Sequence, residues 1–252
     1  MFAYHPILAC KAHVYCVYKQ VIANGKTTIL NDMITFNERQ ITKIKSLKPL
    51  TDSKFLYKKE RWTNLNADFK NLIKDFEDKE ITRQNVIDAY KEYYADSSNG
   101  FMKAFLLTMV WGFADTGYGT HRTNNYIGDN GNINKIKAAI DFIQQNGQDS
   151  LKNAFKELKG IKGLGVSYLT KILYFATRAK YADNYALIFD IRVAAALVKL
   201  TTPKEIYAIV NVGPSSKFTD YQNFNRLIHK LAKDNQVEAD QMEMYLFNQD
   251  FD

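Results

Sequence analysis

The sequence is short of the residues that staple a chain from outside its core. Two cysteines cannot build a disulfide framework, a four-thiolate zinc site or a four-cysteine iron–sulfur cluster. Only four prolines, at positions 6, 49, 203 and 214, occur in 252 residues, which leaves the long middle free to run as helix. No apolar stretch approaches the roughly 18–20 residues of a membrane span. A secretory leader is not expected: the run ending Ile7-Leu8-Ala9-Cys10 is short, lacks a basic start and is broken by His5 and Pro6. The expectation is a cytoplasmic chain, with Cys10 and Cys16 reduced and neither metal nor other cofactor.

What is present excludes disorder as the main state, since 46% of residues are hydrophobic and 13% aromatic. A chain of this length buries roughly 70–75% of its unfolded surface, enough for a core without staples. Charge is unbalanced, 34 Lys and Arg against 27 Asp and Glu, a formal +7. That balance favours an anionic partner without requiring one.

Helical periodicity dominates. Phe69, Leu72, Ile73 and Phe76 fall at i, i+3, i+4 and i+7, and Val86, Ala89, Tyr90 and Tyr93 repeat the pattern. Residues 101–113 are nearly all apolar and long enough for a buried helix. Ile136, Ala139, Ile140 and Ile143 predict another, closed by Asn146-Gly147. Further helices are predicted over 151–158, 166–178, 191–200, 221–233 and 237–247. Strand alternation is scarce and no fixed-period repeat occurs, so the fold class is all-α, pictured as two helical lobes. Turn signals at 96–100, 128–132, 201–203 and 213–216 suggest a region 1–98 that packs with 204–252, and a core of 99–203.

Two charged stretches need weighing. Asn24-Gly25-Lys26-Thr27-Thr28 looks like the end of a phosphate-binding loop, but that loop needs a glycine where Gln20 stands. Residues 43–62 interleave Lys43, Lys45, Lys48, Lys54, Lys58, Lys59 and Arg61 with Phe55, Tyr57 and Trp62. Such a pattern can track a phosphate backbone, or it can be a solvated basic face with apolar anchors.

The informative region runs from Leu158 to Phe175. A helix meets a turn containing Gly160, Gly163 and Gly165, and a second helix follows. Glycines permit positive φ and close approach of another backbone. The first N–H groups of the new helix lack internal partners and, with the helix dipole, suit a phosphate. On that helix Leu169, Ile172, Leu173 and Ala176 form the buried stripe, while Ser167, Lys171, Tyr174 and Arg178 form a polar one.

Ile161-Lys162-Gly163-Leu164-Gly165-Val166-Ser167 resembles the hairpin of the helix-hairpin-helix DNA glycosylase superfamily, whose usual form is Leu-Pro-Gly-Val-Gly. That superfamily places a catalytic aspartate about twenty residues later, in a "Val-Asp-Thr-His-Val"-like segment opening a helix. Here Leu187-Ile188-Phe189-Asp190-Ile191-Arg192-Val193 stands at a similar separation, and Asp190 matches the aspartate. A third patch, from Trp111 to Arg122, is similar to bacterial proteins of the 8-oxoguanine-glycosylase-like branch. The resemblance covers roughly residues 105–200. Departures are Lys162 for the proline, Leu169 for a small residue and Arg192 for the histidine. Lyase-competent members carry a nucleophilic lysine where this chain has Ser167.

The resemblance implies a DNA N-glycosylase that flips a modified nucleotide out of double-stranded DNA and works as a monomer. The base is 8-oxoguanine-like, or a hypermodified phage base, since related bacterial proteins occur in anti-phage systems. Serine at 167 implies monofunctional hydrolysis by water, with Lys171 one turn on as an alternative amine or a solvated lysine. Asp190 would stabilise oxocarbenium character, or else be an ordinary N-cap aspartate. Lys162, Gly163, Leu164, Gly165 and Val166 would hold a phosphate at a basic-rimmed cleft. Trp111, Tyr118, His121, Arg122 and Tyr174 are candidates for base pocket or intercalation, each aromatic also readable as core. Rival readings are a noncatalytic DNA-binding module and a small-molecule or nucleoside enzyme on the same scaffold.

Overall fold

The computed structural model describes residues 34–114, 116–200, 212–213, 215–249 and 251. Residues 1–33, with both cysteines and the 24–28 stretch, lie outside the described residues, as do Asp115, Pro214 and the turn signal at 201–203. The chain divides into two compact units, Leu47–Ile188 and Met1–Ser46 with Phe189–Asp252. The expected 98/99 boundary lies inside the first of these.

That first unit is built around a buried helix. α1 (Glu38–Ser46) belongs to the other unit; α2 (Pro49–Asp52), β1 (Lys54–Leu56), α3 (Ala67–Lys70) and β2 (Glu80–Thr82) lead into α4 (Arg83–Ala95) and α5 (Phe101–Phe113). Apart from Lys103, which pairs with Glu92 at 2.7 Å, α5 is apolar nearly all round, which suits a buried helix; Ala104, Phe105, Leu106, Leu107 and Met109 are fully buried. α4 starts on a capping box between Thr82 and Asn85. Its Tyr90 hydroxyl meets Thr108 Oγ1 at 3.1 Å in the shared core, so α4 and α5 are one packing unit.

α6 (Gly119–Ile127), α7 (Asn130–Gln145), α8 (Ser150–Lys159) and α9 (Val166–Arg178) complete it. α7 is capped by Asp129, whose Oδ1 accepts from Gly131 N at 2.7 Å, and ends at Asn146 in the left-handed conformation. Tyr94 donates to Ala176 O at 3.0 Å and ties α4 to α9. The predicted 69–76 helix is instead α3 followed by a 3₁₀ stretch, Asn71–Phe76. Of its four periodic residues only Ile73 is buried, and Leu72 is 42% exposed, so no amphipathic face holds a regular helix there. β1 and β2 pair antiparallel over three residues, too short for alternation to be legible.

The other unit contains α1, α10 (Ile191–Leu200), α11 (Phe218–Asp234) and α12 (Ala239–Asn248) among its described residues. Phe189 stacks on Phe224 with centroids 4.6 Å apart. Gln241 Nε2 donates to Lys45 O at 3.2 Å, which joins α12 to α1. Among the described residues no helix is long and apolar enough to cross a membrane.

Candidate active site

α8 ends because its last amides turn inward on themselves: Gly160 N donates to Lys156 O and Glu157 O. The turn is then closed by Ile161 N on Leu158 O at 3.1 Å and Leu164 N on Ile161 O at 3.2 Å. Ile161 and Leu164 are buried and act as feet, while Lys162, Gly163 and Gly165 face outward. Gly163 has φ +84°, a conformation that requires glycine. Tyr126 donates its hydroxyl to Gly163 O at 3.0 Å, and Lys135 Nζ reaches Gly160 O at 3.1 Å. Among the described residues the amides of Gly163, Gly165 and Val166 donate to no protein acceptor. They stand at the positive end of α9, so the turn can accept an anion.

Ser167 lies one residue further on and is half-buried. Lys171 is not solvated: it is only 8% exposed. Its Nζ donates to Ser167 Oγ at 2.8 Å and stands 5.1 Å from the centroid of the Tyr168 ring. The stem fits because residue 112 is glycine; a Cβ there would lie 3.0 Å from Lys171 Cδ. The expected polar stripe on α9 is therefore covered, with Tyr174 fully buried and Arg178 half-buried over Tyr185.

Trp111 and Tyr174 are enclosed by protein. Both rings flank the guanidinium of Arg83, at 5.2 and 5.0 Å, and Arg83 is itself 3% exposed. Trp111 Nε1 donates to Ser53 O at 3.1 Å, and Phe175 meets its ring edge-on. Arg83 carried no signal in the sequence, because its role depends on two rings that are distant along the chain.

Tyr118 is the opposite case, 72% exposed on the turn before α6. Its support is rigid. Gly119 backs onto Trp62 so closely that a Cβ would lie 2.7 Å from the indole, and Thr120 Oγ1 donates to Arg61 O at 2.6 Å. Asn124 holds the same segment from both sides, through Asn64 O at 2.7 Å and Asn66 N at 3.2 Å. Gly119 itself begins α6. His121 and Arg122 are exposed beside Tyr118, and Arg61 Nη1 comes within 3.9 Å of the Cβ position at Gly117. In the basic stretch itself Tyr57 and Trp62 are core residues, while Lys54 pairs with Glu80 at 2.7 Å and Lys59 with Asp78 at 3.4 Å. Those residues fit a solvated face with apolar anchors.

Asp190 opens α10. Its Oδ1 accepts from Arg192 N at 3.0 Å and its carbonyl from Ala194 N at 3.0 Å, the geometry of an N-cap. Residues 185–189 before it are buried, and the carboxyl emerges half-buried where the helix dipole favours an anion. Ile191 and Arg192 are exposed, with the Arg192 guanidinium 4.3 Å from the Phe247 centroid. Among the described residues no cluster of three or more His, Cys, Asp or Glu is placed to hold a metal ion.

An all-α chain with an amide-lined glycine turn and a helix-capping aspartate fits a class of DNA-acting proteins. The family model described as "Putative 8-oxoguanine DNA glycosylase OGG-like protein" matches residues 36–247, and the chain belongs to that family. No curated protein and no solved structure matches it.

Proposed function

We propose that the protein is a DNA N-glycosylase that releases a modified base by hydrolysis after flipping its nucleotide out of the duplex. The observation that carries this reading is the family match over 36–247, which takes in both the glycine turn and Asp190. Departure of the base builds positive charge on the sugar, and a fixed carboxylate stabilises it and can orient water. Asp190 supplies that carboxylate, and the amides of Gly163, Gly165 and Val166, with Lys162, supply a phosphate seat. Of the candidate base-contacting residues, Tyr118, His121 and Arg122 are exposed to a partner, whereas Trp111 and Tyr174 are enclosed. The substrate class is an 8-oxoguanine-like or hypermodified base.

The test is base release from duplexes carrying 8-oxoguanine or a glucosylated pyrimidine. Release that is abolished in Asp190→Asn, with strand breaks only after alkali, supports the reading. No release from any substrate rejects it. A borohydride-trapped adduct that disappears in Lys171→Met would replace water with an amine nucleophile. The capping geometry alone also accounts for Asp190, which favours a second reading, a noncatalytic DNA-binding module. In that case Asp190→Asn leaves binding unaltered and no base is released.

A further inference from the structure

Basic side chains are concentrated around the glycine turn more than the overall charge reveals. Residues 150–182 hold seven Lys and Arg and a single acid, Glu157, a local balance of 7 − 1 = +6 within a chain of +7. α8 carries Lys152, Lys156 and Lys159 at i, i+4 and i+7, within roughly 60° of one another around the helix. Its buried face is a different one, made by Ala154, Phe155 and Leu158. Glu157 projects roughly 100° or more from each lysine.

Some lysines elsewhere in this unit are neutralised, as Lys54 is by Glu80 and Lys137 by Asp141. Among the described residues Lys156 and Lys162 have no carboxylate partner, and Lys152 has only Asp149 at 3.9 Å with both side chains exposed. Lys135 adds a further cation at the turn, fixed on Gly160 O.

We propose that this ridge is a track for a DNA backbone, an inference that rests on the proposed action on DNA. A strand whose phosphate sits on the amides of Gly163, Gly165 and Val166 continues over Lys162 and along α8 past Lys159, Lys156 and Lys152. From Lys152 to Lys159 the helix rises about 10 Å at about 1.5 Å per residue. That matches about three nucleotide steps at roughly 3.4 Å along the duplex axis. Lysines are flexible point charges and suit contact with phosphates of any sequence.

The test is an anisotropy titration of the full-length protein against a labelled, unmodified duplex over a range of salt. Each lysine that neutralises a phosphate adds about 0.9 to the slope of log affinity against log salt. The triple variant Lys152→Gln, Lys156→Gln, Lys159→Gln is expected to flatten that slope by about 2 to 3 and to weaken low-salt binding about tenfold or more. Lys230→Gln, on another helix and paired with Asp234, is expected to keep the slope. An unchanged slope in a triple variant with a wild-type melting temperature overturns the proposal. So does tighter binding to phosphatidylserine vesicles than to duplex. Base release is measured separately: a flattened slope without any release keeps the track and rejects the glycosylase. Release with an unaltered slope does the reverse.

Discussion

The Tyr126 hydroxyl donates to the Gly163 carbonyl at 3.0 Å, and so joins α6 to the glycine turn across 37 residues of sequence. Tyr126 is 2% exposed, so its ring is core and only its hydroxyl serves the turn. Tyr126→Phe keeps the ring and removes one hydrogen bond, a loss of about 0.5–1.5 kcal/mol. The expected result is a slightly lower melting temperature with DNA affinity reduced several-fold. Unchanged affinity would mean that the turn keeps its shape without the brace.

The two glycines of the turn should fail differently. Gly163 sits at φ +84°, so Gly163→Ala forces a side chain into the left-handed region at about 1–2 kcal/mol. Gly165 has φ −68° and nothing within 4 Å of its Cβ position, so Gly165→Ala should fold normally. Its methyl group would nonetheless stand beside the amides proposed to hold a phosphate. Denaturant melts and binding titrations are expected to separate them: Gly163→Ala loses stability and affinity, Gly165→Ala affinity alone.

Alkaline stability should report Tyr57. Burial, then the charges of Glu77 and Asp78, push its phenol up to about 12, and its hydroxyl has no hydrogen-bond partner among the described residues. The folded value lies above the unfolded one of about 10, so this contribution is complete below pH ~10 and lost as pH rises through the folded value. Tyr57→Phe removes the titration and an unpaired hydroxyl together. It should leave stability at pH 7 equal or higher by up to about 1 kcal/mol, and lessen the loss above pH ~10 in urea melts. An equal loss in variant and wild type would assign the alkaline transition to other buried phenols, such as Tyr90 and Tyr94, which burial also raises.

Tyr118 can be truncated without disturbing the core, being 72% exposed. If its ring stacks on a base, Tyr118→Ala should cost about 1–3 kcal/mol of binding to a duplex containing an abasic-site analogue. Tyr118→Phe should retain that affinity. Equal binding by wild type and Tyr118→Ala would remove the residue from the interface.

Most of the helices that were legible in the sequence have one regular buried stripe, whereas α5 was legible from its nearly unbroken apolar run. α4, α7, α9 and α11 match their periodic residues closely because burial against one neighbour imposes the period. α6 was not seen, since Gly119-Thr120-His121-Arg122-Thr123-Asn124-Asn125 has little apolar content and is held by polar contacts to residues 61–66. At the candidate site the glycine turn was readable from local spacing, while Asp190 was singled out only by its resemblance to the superfamily's aspartate segment. The burial of Lys171 was not legible: its charge pointed to water, and the space that admits it is made by Gly112, on another helix. Trp111 and Tyr174 were ambiguous for the same reason, since their company is Arg83 from a third helix.

Asp190 combines a helix cap with the proposed catalytic duty, and a single substitution can pull the two apart. Its capping bond to Arg192 N uses only an acceptor oxygen, which asparagine also presents, and the two residues rank alike at helix N-termini. Negative charge, in contrast, is lost in asparagine. The cap therefore survives a substitution that removes the charge on which the proposed chemistry depends, and selection could switch such a site off without rebuilding the helix behind it.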